Sequence, residues 1–359
     1  PPSQGGPPKT FSSCSFRSRG QLPTMRVGLV AQAQLAGGAF LASKDSHVAS
    51  SFLAQSQAPN ISLPILRFDG DRLKTEFINT TDVQPAQQMV GDPAKLAPYC
   101  SKSRTVFDIG LHDATDATNY LSNGYCVVGL EADPDLVHDA AVKLQAYVKA
   151  GVFRIVHTAL ALSSGAAKTS TTFYRSKCTK EWNSFLKVVG CRDCHPPNKV
   201  NPDACVETQL VTSSCADLVE HFGTPLYMKL DVEGAEGNCF EALYNHDLPS
   251  YVSAEITSTA YLDDLFRMGY NAFKLVRQDQ LVSHGSSSTG PFGDGANDCR
   301  SGHHWRNFSS VLSDLAFAST AQFNRTDPCP GGMVDVTTQG AGHIWYDIHA
   351  KIVPEEEKK

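Results

Sequence analysis

The chain has 359 residues, 41% of them hydrophobic and 19% charged, with a net charge of −6. That apolar fraction suits a globular protein, and the length allows one large domain with extensions or two smaller ones. The acidic balance, with no Lys/Arg stripe interleaved with aromatics, argues against nucleic acid as a partner.

Residues 1–24 are rich in Pro, Gly and Ser and lack hydrophobic periodicity, the composition of a disordered leader. An apolar stretch from Val27 to Ala42 follows Met25-Arg26 and is interrupted by Gln32 and Gln34. It reads either as a targeting segment, for the secretory lumen or an organelle, or as more leader in a cytoplasmic protein. It is too short and too polar for a membrane span. Residues 1–57 are therefore expected to stand apart from the fold. Residues 58–99 would pack on it as a preceding segment, with Ile65-Leu66-Arg67-Phe68 as an extra strand.

The stretch Thr105–Pro134 reads as a strand-loop-helix-strand unit. Val106-Phe107 runs into Asp108-Ile109-Gly110, and Cys126 to Leu130 ends in Glu131. An acid at the tip of a second strand can take both hydroxyls of a ribose, and the glycine turn lets a nucleoside approach the backbone. The loop Leu111-His112-Asp113-Ala114-Thr115-Asp116 has no second glycine and carries two carboxylates. It would repel a pyrophosphate, so a dinucleotide is disfavoured, whereas a cationic nucleoside such as S-adenosylmethionine would be attracted. A helix over 135–150 and a strand at 153–157 continue the alternation.

A polar insertion at about 176–207 holds Cys178, Cys191, Cys194 and Cys205, with Cys215 just beyond. Disulfides, a structural zinc held by the first four, and plain thiols compete for these cysteines. Cys191-Arg192-Asp193-Cys194-His195 also matches the c-type haem attachment string, although its polar surroundings offer no apolar slot. The eleven cysteines of the chain are an odd number, which leaves at least one unpaired. Lying between the third strand and the strand at 226–231, the insertion is expected over the carboxyl edge of the sheet, where lids and substrate loops lie.

Leu226 to Leu230 then runs into the acidic turn Asp231-Val232-Glu233-Gly234-Ala235-Glu236, and Tyr251 to Ala254 ends in Glu255. A helix over 261–268, a strand at 272–276, a Ser/Gly tract at 286–295 and a strand at 343–352 follow, before a charged tail at 354–359. Alternation of this kind predicts an α/β fold with a mostly parallel sheet covered on both faces. Converging at one edge, Asp231, Glu233, Glu236 and Glu255 could orient substrate hydroxyls, supply a base of raised pKa, or bind a divalent metal through oxygen ligands. Glu236 has a competing use at the N-terminus of a helix. Among histidines, His112 in the loop, His343, and His349, which shares a strand face with Asp347, are candidate bases.

From the D-I-G strand end, the acidic second strand with its following Pro134, and the K-x-D-V-E-G-A-E turn at Lys229–Glu236, the chain resembles the FkbM family of S-adenosylmethionine-dependent O-methyltransferases over about residues 100–353. The resemblance implies a Rossmann-like, seven-stranded sheet with an antiparallel C-terminal edge. It implies cofactor contacts at Asp108, Gly110, Asp113, Glu131, Ala159 and Asp231, with Asp231 also facing the transfer site. The acceptor would be a hydroxyl of a small molecule, sugar or glycan. Many members have glycine where this chain has Ala114, which keeps open a catalytically silent module; an NAD-dependent oxidoreductase on the same architecture is the other alternative. Sequons at Asn60, Asn79, Asn307 and Asn324 exceed the roughly two expected by chance and agree with a secretory route.

Overall fold

The apolar runs fold as strands of one large sheet. The computed structural model describes residues 61–69, 72–80, 93–160, 169–195, 199–256, 258–278, 298–319 and 346–354, all within the unit Ser56–Lys359. The leader at 1–57, Asn60, Asn324, His343 and the tract 286–295 lie outside the described residues.

In chain order the strands are β1 (Ile61–Asp69), β2 (Arg72–Thr80), β3 (Thr105–Ile109), β4 (Cys126–Glu131), β5 (Phe153–His157), β6 (Ala159–Leu160), β7 (Ser170–Ser176), β8 (Cys205–Ser213), β9 (Tyr227–Leu230), β10 (Tyr251–Glu255), β11 (Ala272–Arg277) and β12 (Tyr346–Lys351). Nine of them form a sheet in the order β11-β12-β10-β9-β3-β4-β5-β1-β2. The five central strands β5, β4, β3, β9 and β10 run parallel. At the other end β12 is antiparallel to both β10 and β11. All six residues of β4 are buried, as expected for a parallel strand covered on both faces. These seven strands are the predicted Rossmann-like core, with its antiparallel C-terminal edge.

Two additional strands come from the segment before the core. β1 joins β5 in parallel through Leu66 and Val156, and β2 folds back on β1. The hairpin is wider than the predicted strand at 65–68 because Leu63 and Ile65 alternate inward and are 0% and 4% exposed. Pro64, a residue that interrupts strand patterns, masks this period in the sequence.

The helices are α1 (Pro93–Leu96), α2 (Thr115–Ser122), α3 (Pro134–Lys143), α4 (Gln145–Lys149), α5 (Lys187–Gly190), α6 (Cys215–Phe222), α7 (Glu236–Leu243), α8 (Ala260–Met268) and α9 (Phe308–Ser319). The predicted helix over 135–150 is two helices, broken where Leu144 leaves helical geometry. The start of α3 is fixed by Asp133, whose carboxylate accepts from Asp135 N–H, and by Pro134 in the first turn. A Ser214/Asp217 capping box starts α6. No helix among the described residues is long and apolar enough to cross a membrane.

The Cys-rich insertion belongs to a second, three-stranded sheet, ordered β6-β8-β7. Its segments S-T-T-F-Y-R-S and C-V-E-T-Q-L-V-T-S are strand sequences rich in β-branched and aromatic residues, a signal that the count of cysteines obscured. Disulfides join Cys178 to Cys194 and Cys191 to Cys205. The zinc reading therefore fails at all four positions, since a thiolate ligand must be unbonded. The haem string fails for the same reason, both of its cysteines being in disulfides. Cys215 pairs away from the insertion with Cys239, tying α6 to α7. Cys100 pairs with Cys126 at the amino ends of β3 and β4, and Cys299 is also disulfide-bonded.

Closing a loop of this size by the Cys191–Cys205 bond restricts the unfolded chain by roughly 3 kcal/mol. Replacing both cysteines with serine is expected to raise proteolytic cleavage within 187–204 while amide protection in β3, β4 and β9 persists. Uniform loss of protection would show instead that the insertion and the core unfold as one unit.

Candidate functional site

The order of strands reverses between β3 and β9, and in open α/β sheets the crevice at such a point is where ligands bind. Gly110 sits at its floor with φ +90°. A Cβ there would lie 1.8 Å from the Asp231 carbonyl oxygen, so only glycine lets the β3 turn close onto β9. Asp231 N–H donates to the Ile109 carbonyl at 2.9 Å and fastens the two strand ends together.

Above this floor opens a cleft of about 390 Å³, within the range of small-molecule sites. Gly110, His112, Asp113 and Asp116 line it from the β3 side and Glu131 and Ala132 from β4. Lys229, Asp231 and Glu233 line it from β9 and the turn after it, Phe173 from β7, and Lys180, Glu181, Asn183 and Phe185 from the insertion. The four insertion residues carried no motif. Only the position of the insertion between two strands that end at this edge pointed to them.

The insertion is fastened on both sides of the crevice. Arg175 on β7 donates to both oxygens of Asp133 at 2.8 and 3.0 Å, and Asn183 adds a third bond at 2.8 Å. Ser184 Oγ donates to the Glu233 carbonyl at 3.1 Å. The insertion is thus bonded both to the loop after β4 and to the turn after β9, as a wall of the cleft.

Glu131 is 6% exposed and ties the loops together. Its Oε2 accepts from His112 N–H at 2.9 Å, and its Oε1 accepts from Ala132 and Asp133 N–H, both at 2.8 Å. Three of about four lone-pair positions are therefore taken by backbone donors, leaving capacity on Oε2 for one more. Burial pushes Glu131 up to about 7, and the three backbone bonds oppose that rise. Asp113 is turned toward its own helix: its two oxygens accept from Thr115 N–H and Oγ1 at 2.9 and 2.7 Å.

Lys229 is the electrostatic centre of the crevice. Its Nζ lies 2.7 Å from Asp116, 3.1 Å from Asp231 and 3.8 Å from Asp108. Burial alone would lower the lysine, but the three carboxylates outweigh it and hold it well above the usual value. Asp108 is 0% exposed and neither of its oxygens has a hydrogen-bond partner among the described residues. Burial raises it to about 8, with Lys229 opposing and Asp116, Asp231 and Glu131 adding to the rise. Three acids around one ammonium make this end of the crevice a site for further positive charge.

Beyond Lys229 the remaining acids divide. Oxygens of Asp231, Glu233 and Glu255 lie within 4.8 Å of one another. Glu233 adopts φ +53°, a conformation rare for a side-chain-bearing residue. Burial, Asp231 and Glu236 raise it to about 8. Glu255 is held well above the carboxylate range by burial and by Glu233, Asp231, Glu236 and Asp347. Asp347, opposite Glu255 in register, is raised likewise, and sequence reasoning gave it no role of its own. Glu236 departs from the group: 0% exposed, it accepts from Val232 N–H, Gly234 N–H and Tyr261 Oη, and so pins the turn.

Three further expectations meet different outcomes. His112 lines the cleft with a half-exposed ring, its backbone held at φ +47°. His349 is 2% exposed, lies opposite Ser253 and Lys274 in register, two residues below the strand end, and is not among the cleft-lining residues. Ala159 is 0% exposed and pairs with Thr212, and its neighbour Leu160 lines the cleft in its place. The antiparallel run of β12 puts Asp347, not His349, at the carboxyl edge. Ala159 opens β6, whose backbone turns away toward β8.

The raised acids set a pH dependence. Asp108, Glu131 and Glu233 have folded-state pKa values above those of the unfolded chain. The folded state therefore holds protons that the unfolded state releases above about pH 4, and stability falls from there as pH rises through about 7 to 8, levelling off beyond. The urea midpoint is expected to drop between about pH 6.5 and pH 8.5; a midpoint that rises over this window would contradict the buried placement of these acids.

No protein-family model and no curated protein matches the chain. Among solved structures, it is similar to a precorrin-6y C5,15-methyltransferase from Geobacter metallireducens, with 10% identity over 76% of this chain and 93% of that one and a TM-score of 0.30. An O-methyltransferase from Bacillus cereus in complex with SAH aligns at 13% identity, over 76% and 83% of the two chains, with a TM-score of 0.27. A SAM-dependent methyltransferase from Thiobacillus denitrificans in complex with S-adenosyl-L-homocysteine aligns at 9% identity over 75% and 95%, with a TM-score of 0.27. Likeness at this level decides no function. The fold rests on the strand order itself.

Proposed function

We propose that the chain is an S-adenosylmethionine-dependent methyltransferase acting on a hydroxyl of a small molecule, sugar or glycan. The observation that carries this reading is the buried Asp108, whose oxygens have no hydrogen-bond partner among the described residues, beside a lysine shared by Asp116 and Asp231 at the strand-reversal crevice. The excess of negative charge suits a cofactor bearing an ammonium and a sulfonium and opposes the pyrophosphate of a dinucleotide. The FkbM-like motifs at Asp108–Gly110, Glu131–Pro134 and Lys229–Glu236 support the same reading.

The cofactor would supply a methyl group already activated by its sulfonium. The protein's part is then to hold the acceptor oxygen in line and to receive its proton. Glu131 would take a ribose hydroxyl with its remaining lone pair. Asp231, whose side chain is 43% exposed at the cleft, is the base best placed to receive the proton, and His112 is the second candidate. Glu233 and Glu255 would orient acceptor hydroxyls, or together with Asp231 hold a divalent cation through oxygen ligands. The disulfides suit an oxidising compartment, which supports placement in the secretory lumen.

A silent methyltransferase-fold module is the second reading. It is favoured by the carboxylates of Glu131 and Asp113 being largely engaged within the protein. Thermal unfolding with S-adenosylmethionine and with NAD in parallel separates the readings. Protection by the former alone supports the proposal, protection by NAD replaces it with an oxidoreductase, and protection by neither favours the module.

A further inference from the structure

We propose that Asn79 carries an N-linked glycan whose first N-acetylglucosamine packs on the exposed ring of Phe77. The inference rests on the secretory reading of the compartment and lies outside the methyl-transfer site. Asn79-Thr80-Thr81 is a sequon, and β2, which carries the asparagine, is the outermost strand of the nine-stranded sheet.

Phe77 is 64% exposed, the most exposed of the large hydrophobic side chains among the described residues. Phe77 and Asn79 are two apart on a strand, so their side chains leave the same face. That face is the outer one: Ser62 and Pro64 stand opposite Asn79 and Phe77 in register, while the intervening Leu63 is buried. Nothing among the described residues covers the Phe77 ring, and an aromatic face exposed on an edge strand invites pairing with other chains. A bulky, hydrated sugar two residues away both covers the ring and blocks the edge.

The asparagine is also presented correctly. Ser62 Oγ donates to Asn79 Oδ1 at 2.6 Å, which engages the carbonyl oxygen and directs Nδ2 away from Ser62. Among the described residues Nδ2 makes no hydrogen bond. In the modification, Nδ2 forms a bond to C1 of the sugar while the bond from C1 to the pyrophosphate oxygen of a lipid-linked oligosaccharide breaks. The pyrophosphate leaves with the electron pair, and the amide loses one proton to the transferase. Asn307, the other described sequon, has its carbonyl oxygen engaged likewise, accepting from Ser310 N–H, but offers no exposed ring, because its neighbouring Phe308 is stacked on Phe266.

The test uses the full chain, carried into the secretory lumen of an insect or mammalian cell by a cleavable signal sequence. Secreted and retained protein are both digested, and the Asn79 peptide is weighed after glycan removal in heavy-oxygen water. Conversion of Asn79 to heavy-labelled aspartate is expected; an unmodified Asn79 peptide in folded protein would overturn the proposal. A second measurement tests the packing. Asn79→Gln should lower the melting temperature by about 2–4 °C in the native background and leave it unchanged in Phe77→Ser. Equal shifts in both backgrounds would show that the sugar does not rest on the ring. Neither readout depends on cofactor binding, so failure here is separate from failure of the methyltransferase reading.

Discussion

Replacing Lys229 with methionine is expected to destabilise the protein by about 3–5 kcal/mol near pH 9, where Asp108 is ionised in the native protein, the usual penalty for removing one partner of a buried ion pair. Asp108 and Asp116 would lose the one cation that pairs with them among the described residues, and both are mostly or wholly buried. The loss should shrink toward pH 6, because Asp108, already raised to about 8, then holds a proton and needs no counter-charge. Urea midpoints of the two proteins at both pH values measure this. A pH-independent loss would mean that Lys229 contributes through packing of its stem and not through charge.

The second large effect is at Glu131. Glu131→Ala removes the acceptor of three backbone N–H groups, and each one left unpaired costs roughly 1–3 kcal/mol. A charge-assisted bond to a ribose hydroxyl, worth about 1.5–3 kcal/mol, would be lost as well, weakening cofactor binding by about 10- to 100-fold. The sequence alone points to a ligand-binding residue; the bonds to His112, Ala132 and Asp133 show that Glu131 supports the fold. Binding must therefore be measured well below the melting temperature of the variant. Unchanged affinity in folded Glu131→Ala would remove the residue from the ribose.

Much of the fold was legible because its signals are local. The runs ending at Ile109, Glu131 and Glu255 are apolar and short, and turn residues punctuate them. The hairpin before the core was only half visible because Pro64 interrupts its period. β7 and β8 flank a cysteine-rich polar segment, and their strand propensity carries no alternation clear enough to set them apart from it.

The site was legible to a lesser degree. Acids at strand ends could be named from sequence, but their division of labour could not. Glu233 faces the cleft while Glu236, three residues on, turns inward to three donors, and that depends on the left-handed backbone at Glu233 and Gly234. Ala114 also adopts a left-handed conformation, φ +58°, and is fully buried, which gives a physical reason for glycine to be favoured there. The Lys229 cluster joins residues from two strands and a helix, a proximity no single motif contains.

The most direct test of the central claim is calorimetric titration of the folded protein with S-adenosylmethionine in buffers of different ionisation enthalpy. The account predicts binding accompanied by proton release near pH 7.5, as a cationic ligand lowers the pKa values of Asp108 and Glu131. A folded protein that gives no binding heat in any buffer and no shift in unfolding temperature would contradict it.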